Sequence, residues 1–188
     1  VRYDAGLENA ITQSFPAVVV IPFSGLERID LTLNALFAEA RETNPGRQVM
    51  LDRLCDILLI QIVRFAIQQK LVTRGVLAGL AHQRLAGLLG ELLDTPRRAW
   101  TLETMAARAN LSRNAFANAF RDAVGSTPAE FLTRMRIAQA RRLLRKGRPV
   151  ALVAEEVGYN SQPAFSRAFI RELGISPSAW IRKNRHAG

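Results

Sequence analysis

The chain has 188 residues, and 48% of them are hydrophobic, which fits one or two domains with a packed core and excludes a disordered chain. Its net charge of +10 is unevenly distributed: residues 1–99 carry 11 Arg/Lys and 10 Asp/Glu, whereas residues 100–188 carry 15 and 6. This asymmetry is typical of a near-neutral half joined to a half that faces a polyanion. A solvated basic surface is the alternative interpretation.

The cysteine count and the apolar stretches predict a cytoplasmic protein that does not bind membranes. Cys55 is the only cysteine, so an intrachain disulfide is excluded. The longest apolar stretch, residues 57–67, is interrupted by Gln61 and Arg64 and is too short to span a bilayer. No signal peptide opens the chain. The first residue, Val1, is not a methionine, so we expect N-terminal sequence to be missing.

The near-neutral half begins with a predicted strand and continues as helices. Residues 17–23 are apolar, rich in β-branched side chains and closed by Pro22, which predicts a short buried strand. With residues 1–3 it would form the remnant of a sheet. Periodic apolar positions predict helices at 26–43 and 48–70, separated by the sequence Asn-Pro-Gly. Two short helices are predicted at 75–80 and 83–93. We place a domain boundary at 96–99, which divides residues 1–95 from residues 96–188.

The helix at 48–70 is apolar on more than one face and therefore needs cover from more than one direction. A partner subunit in a homodimer and a central position in the core both satisfy this need, and the sequence leaves the two open. Cys55 lies on this helix, and we expect it to pack in the core rather than to sense redox changes.

The basic half contains an internal repeat. Shifting the sequence by 48 residues, and by 49 after an insertion at Asn160, aligns nine positions of compatible chemistry. The pairs are Ala106/Ala154, Ala109/Val157, Leu111/Tyr159, Ser112/Ser161, Phe116/Phe165, Phe120/Phe169, Gly125/Gly174, Pro128/Pro177 and Phe131/Trp180. Each copy reads as a short helix, a tight turn, a serine that caps a second helix, and a glycine that ends it. Two such helices around a tight turn predict a helix-turn-helix.

The predicted units are a first helix-turn-helix at 101–124, a linker helix at 128–146 and a second helix-turn-helix at 149–173. An ordinary helical hairpin is the alternative for one copy, but two copies in a basic half favour DNA. The linker helix is long enough to hold two recognition helices in successive major grooves. Of its basic residues we expect a minority to touch DNA: Arg134, Arg136, Arg141, Arg142, Arg145 and Lys146.

Two segments then resemble a known family. Residues 157–169 (Val-Gly-Tyr-Asn-Ser-Gln-Pro-Ala-Phe-Ser-Arg-Ala-Phe), followed by Gly-Ile-Ser-Pro at 174–177, are similar to the signature of AraC/XylS-type transcription regulators. Residues 111–128 match the first unit of that family as well. Residues 1–95 resemble, more weakly, the end of a cupin-type effector domain and the helical segment that follows it. The resemblance implies double-stranded DNA, RNA polymerase and a small-molecule effector as partners, with an incomplete effector pocket in this chain.

The resemblance also implies which side chains contact DNA. The base-reading positions with polar side chains are Arg113, Asn114, Asn118, Gln162, Ser166 and Arg167. Ala117 and Pro163 occupy the two remaining positions, where the side chain has no polar group for a base but can contact a thymine methyl. The residues expected at the DNA backbone are Ser112, Arg121, Ser161 and Arg171. Arginine to guanine and Asn or Gln to adenine are the bidentate pairings that geometry favours.

No catalytic, metal or cofactor site is predicted. His82 and His186 have no ligand partners at metal spacing, and no phosphate-binding loop or nucleophile elbow is present. An enzyme with an appended DNA-binding domain would need a catalytic constellation in residues 1–95, where none is visible. The sequence therefore predicts a sequence-specific transcription regulator and no enzyme. The alternative is an effector-sensing or dimerisation fragment with only non-specific DNA affinity.

Overall fold

The computed structural model describes residues 27–184, and every regular element in that range is an α-helix. The predicted mainly α fold, with two helix-turn-helix units joined by a long helix, is confirmed. The strand predicted at 17–23, its partner at 1–3 and His186 lie outside the described residues. The described residues form two compact units that meet in sequence between Thr73 and Arg74.

The first unit contains two helices that pack against each other, α1 (Glu27–Arg41) and α2 (Arg47–Gln68). The turn between them passes through Gly46, whose φ of 85° is left-handed. The side chain of Arg47 donates hydrogen bonds to the carbonyl oxygens of Glu39 and Ala40, at 3.3 and 2.8 Å. These bonds satisfy carbonyls in the last turn of α1, which have no partner within their own helix.

Helix α2 is not covered on all sides within the described unit. Several of its large apolar side chains are exposed, namely Val49, Met50, Ile57, Leu59 and Ile60. Cys55 is exposed as well, so the expectation that its side chain packs in the core is wrong. Its position on an apolar helix suggested burial, but the side chain lies on a part of the α2 surface that stays exposed.

The second unit begins with four helices that share one core: α3 (Val76–Ala81), α4 (Ala86–Asp94), α5 (Leu102–Arg108) and α6 (Arg113–Val124). Helix α3 approaches its neighbours closely at Gly79. A Cβ atom there would lie 2.4 Å from Leu89 Cδ1 and 2.8 Å from Val124 Cγ2. The amide of Gly75 donates a 2.9 Å hydrogen bond to the carbonyl of Ala123, which joins the start of α3 to the last turn of α6.

Helices α3 and α4 therefore pack with the basic half of the chain, although their sequence was grouped with the near-neutral half. The reason is that α4 supplies apolar side chains to the core beneath α6: Leu88, Leu89 and Leu92, together with Leu85 just before it. The predicted boundary at 96–99 followed the change in charge, which does not report packing. As a division between effector and DNA-binding functions, 1–95 and 96–188 stays a prediction.

The linker helix α7 (Pro128–Arg145) leads into a second core formed with α8 (Val150–Glu156), α9 (Gln162–Leu173) and α10 (Pro177–Asn184). A capping box starts α7: the Thr127 hydroxyl accepts from the amide of Glu130, and the Glu130 carboxylate accepts from the amide of Thr127. The helix ends before Gly147, whose φ is 77°. Its 18 residues give it a length of about 27 Å.

The two helix-turn-helix cores are built around equivalent aromatic contacts. The rings of Phe116 and Phe120 meet edge to face with centroids 5.6 Å apart, and those of Phe165 and Phe169 meet at 5.5 Å. Both pairs have an interplanar angle of 63°. All four side chains are fully buried. The predicted repeat is thus a repeat of packing as well as of sequence.

Replacing Phe169 with alanine is expected to lower the free energy of unfolding by about 3–5 kcal/mol, because it leaves a cavity in the second core. The matched control is Ile170→Ala on the same helix. Ile170 is 45% exposed, so its truncation is expected to cost about 0.5 kcal/mol or less. Urea unfolding followed by circular dichroism measures both. Equal losses in the two variants would contradict the described core.

Candidate nucleic-acid interface

The turns before α6 and α9 are closed by the same capping contact. The Ser112 hydroxyl oxygen accepts a hydrogen bond from the amide of Ala115 at 3.3 Å, and the Ser161 hydroxyl oxygen accepts from Ala164 at 3.3 Å. Neither helix has an acidic residue in its first turn. The partial positive charge of each helix N-terminus therefore stays available to an anion.

The side chains predicted to read bases begin at the first residue of each of these two helices. On α6, Arg113, Asn114 and Asn118 are exposed and Ala117 is partly buried. On α9, Gln162, Pro163 and Arg167 are exposed and Ser166 is partly buried. Both sets occupy helix positions i, i+1, i+4 and i+5, which lie on one side of a helix. The fold thus presents two equivalent sets of side chains from two capped helix ends.

Arg113 has a partner that the sequence analysis did not identify. Its guanidinium Nη1 lies 2.9 Å from the carboxylate Oε1 of Glu103 on α5, and both side chains are largely exposed. The pKa of the Glu103 carboxyl lies below its ordinary value, first through a backbone hydrogen bond and then through Arg113. The carboxylate is therefore charged at neutral pH and holds Arg113 beside the turn. Only the fold brings these two residues, ten positions apart, together.

The four residues predicted at the DNA backbone are all exposed. Ser112 and Ser161 already use an oxygen lone pair for capping, but a hydroxyl also has one hydrogen to donate. Capping and donation to a phosphate are therefore compatible. Arg121 and Arg171 lie in the last turns of α6 and α9.

The basic residues of α7 divide into those with partners inside the protein and those that face solvent. Arg134 contacts the Ser126 hydroxyl, and the guanidinium of Arg141 lies over the Trp180 ring at 5.8 Å from its centroid. Arg136 is partly buried and bonded to two backbone carbonyls. Arg145 and Lys146, at the end of the helix, are exposed. The expectation that a minority of these residues touch DNA stays a prediction.

Other kinds of site have no support in the described part of the chain. Residues 27–184 contain no group of three or more His, Cys, Asp or Glu side chains that could hold a metal ion. No helix between residues 27 and 184 combines the length and apolar character needed to cross a membrane.

Comparison with known families gives two matches along the chain. A helix-turn-helix domain family matches residues 105–183, and a cupin family matches residues 1–68. The first match spans α5 to α10 except for three residues at the start and one at the end. The second covers residues 1–68 of the 1–95 segment that resembles the end of a cupin-type effector domain and the helices after it.

Similar proteins include named transcription regulators. The chain is 36% identical over 148 residues to the RCS-specific HTH-type transcriptional activator RclR of Escherichia coli K12, which covers 78% of this chain and 52% of that protein. It is 31% identical over 186 residues to the HTH-type transcriptional regulator AlkR of Acinetobacter baylyi, covering 96% of this chain and 61% of that protein. The chain thus spans roughly half to three fifths of these relatives.

A solved structure agrees in fold and sequence. The DNA-binding domain of the global transcriptional factor AdpA, crystallised in complex with a target DNA, is 36% identical and has a TM-score of 0.54. The alignment covers 56% of this chain and 96% of that domain. Together with the repeated capped helices, these matches identify the chain as a member of the AraC-type family of transcription regulators.

Proposed function

We propose that this chain binds DNA sequence-specifically as a transcription regulator, with α6 and α9 reading two successive major grooves. The observation that carries the proposal is the matched pair of exposed polar positions at the capped starts of these two helices. They belong to the half of the chain with 15 Arg/Lys and 6 Asp/Glu. The similar AdpA domain was crystallised in complex with a target DNA, which supports DNA binding by this part of the chain.

The distance between the helices is set by α7, whose length of about 27 Å is close to one turn of B-DNA, about 34 Å. In this arrangement Arg113 and Arg167 hydrogen bond to guanines, and Asn114, Asn118 and Gln162 to adenines. Ser166 pairs with either base. The exposed backbone set, Ser112, Arg121, Ser161 and Arg171, contacts phosphates and so fixes the register of the protein on the duplex.

Selection of binding sites from a random duplex library at fixed salt tests this function. The wild type is expected to enrich two short blocks about one helical turn apart. Arg167→Ala is expected to lose the preference within one block and Arg113→Ala within the other. Each substitution is expected to cost about 1–3 kcal/mol of discrimination, because a bidentate base contact is lost.

Arg145→Ala is the matched control, since it removes one exposed positive charge from outside the proposed reading set. Both blocks are expected to survive in this variant. The absence of any enriched motif, with an affinity that falls steeply with salt, would contradict sequence-specific reading. It would instead favour the alternative of a fragment with only non-specific DNA affinity, which counterion release governs.

We further propose that α2 mediates a homodimer through the exposed side chains Val49, Met50, Ile57 and Ile60. At 100° per residue these four lie within an arc of about 100° on the helix. The charge distribution favours a second copy as the occupant. Residues 1–99 have a net charge near zero, so two copies can approach through this half without the repulsion that the basic halves would exert.

Light scattering over a range of concentrations measures the oligomeric state. The wild type is expected to reach twice the monomer mass of 20.8 kDa, and Ile60→Asp to remain monomeric. Gln48→Glu adds the same charge to an exposed position on another face of α2 and is expected to dimerise as the wild type does. A monomer mass for the wild type at high concentration would contradict the proposed dimer.

We propose two further partners that the family implies, RNA polymerase and a small-molecule effector. We also propose that the protein acts in the cytoplasm, where promoter DNA lies. The E. coli relative is named a transcriptional activator, and an activator contacts RNA polymerase at the promoter. A small-molecule effector would act through the cupin-type part, which residues 1–68 match.

Run-off transcription from a promoter that carries the selected two-block site tests the role in activation. Added protein is expected to increase the transcript several-fold, and Arg167→Ala to remove the increase because the protein no longer binds at the promoter. A decrease in transcript would contradict activation and favour repression. Candidate small molecules added to the same reaction test the effector.

A further inference from the structure

The segment just before the first helix-turn-helix is anchored in that unit. Trp100 is buried in the first core, and its indole Nε1 donates a 3.1 Å hydrogen bond to the carbonyl of Thr95. The guanidinium of Arg98 lies over the same ring, 4.6 Å from its centroid. Residues 95–100 are therefore held against the first helix-turn-helix.

The linker helix α7 also holds residues 95–100, through hydrogen bonds from Arg136. Arg136 donates from Nε to the carbonyl of Pro96 and from Nη2 to the carbonyl of Arg98, both at 2.9 Å. The same guanidinium lies 5.6 Å from the ring centroid of Tyr159, which lies in the turn of the second helix-turn-helix. Tyr159 in turn packs edge to face against Phe165 of the second core, with centroids 5.6 Å apart.

Gly158 brings the second helix-turn-helix into direct contact with residues 95–100. Its φ is 89°, and a Cβ atom there would lie 2.5 Å from the carbonyl oxygen of Arg97 and 3.0 Å from its Cα. The equivalent turn residue in the first helix-turn-helix is Asn110, with a φ of 53°. The turn conformation therefore accepts asparagine, as it often does. The second copy needs glycine because the Arg97 backbone occupies the space beside it.

These contacts assign Arg136 a role other than phosphate binding. Two of its donors are bonded to backbone carbonyls, and the side chain is partly buried between the segment and Tyr159. Arg145, the last residue of the same helix, is exposed to solvent and is not buried in this way. We call the set formed by residues 96–98, Arg136, Gly158 and Tyr159 the inter-unit clamp.

We propose that the inter-unit clamp fixes the orientation of the second recognition helix relative to the first, with Arg136 and Gly158 as positioning residues that determine which spacing between the two DNA blocks is accepted. This inference rests on the proposed function. One base pair changes the distance between blocks by about 3.4 Å and rotates one block by about 35° around the duplex. A rigid pair of helices cannot follow such a change, whereas a pair joined by α7 alone can adjust.

The affinity for duplexes in which the selected spacing is changed by one base pair, in either direction, tests the clamp. The wild type is expected to bind the altered duplexes on the order of tenfold more weakly, the size of one lost base contact or more. Arg136→Met keeps the aliphatic bulk but removes both hydrogen bonds, and its penalty is expected to fall to about threefold or less. Its affinity for a duplex with a single block is expected to match that of the wild type.

Arg145→Met is the control for charge, since it removes the same charge from the same helix and is expected to keep the tenfold penalty. Gly158→Asn is expected to reduce the penalty as Arg136→Met does, because its Cβ displaces Arg97. Gly174→Asn is its control: the φ of Gly174 is 72°, and a Cβ there meets no atom within 4 Å. An unchanged penalty in Arg136→Met, or an equal loss of single-block affinity, would overturn the inference.

A measurement without DNA separates this inference from the proposed function. Spin labels at Asp122→Cys and Ile170→Cys, in a Cys55→Ser background, report the distance between α6 and α9 by pulsed electron resonance. The wild-type distribution is expected to be narrow and that of Arg136→Met to be broader. Equal widths would overturn the clamp even if both proteins select a two-block site. If no two-block site is selected, the proposed function and the claim about spacing both fail. In that case a broader distance distribution in Arg136→Met would support only the orienting role of the clamp.

Discussion

The phenylalanine pair on each of α6 and α9 is the contact on which both proposed base-reading surfaces depend. Phe116 with Phe120, and Phe165 with Phe169, fill the space beneath the turn and fix the rotation of the helix about its axis. That rotation decides which side chains face outward. Because the two pairs have nearly the same centroid distance and the same interplanar angle, α6 and α9 turn equivalent positions outward. Capping serines then fix where each helix begins.

The two helix-turn-helix units differ in what lies next to their turns. Asn110 and Gly158 occupy corresponding left-handed positions, and at Gly158 the backbone of Arg97 fills the space that a Cβ atom would take. The first helix-turn-helix packs against α3 and α4, whereas the turn of the second contacts residues 96–98, which precede the first. One local fold is therefore used in two different surroundings. A glycine that looks like an ordinary turn residue in sequence is a contact residue in the structure.

Much of this architecture was predictable from sequence, because the features that define it are local. Serine caps, i, i+4 aromatic pairs and left-handed glycines each act within one or two turns of helix, and the repeat displayed them twice. The contacts that escaped prediction join residues far apart in the chain: Arg136 with Pro96 and Arg98, Glu103 with Arg113, and α4 with α6. Charge balance suggested a boundary near residue 96, but apolar burial decides packing, and Leu88 and Leu92 lie on the near-neutral side. The base-reading residues remain predictions because their assignment depends on DNA.

The hydrogen bond between Gly75 and Ala123 has a structural consequence. The chain enters its second compact unit at Arg74, and the next residue is already bonded to the last turn of α6. The start of the second compact unit is thus held at the last turn of α6 rather than at a remote loop. This is the end of the helix opposite to the side chains proposed to read bases.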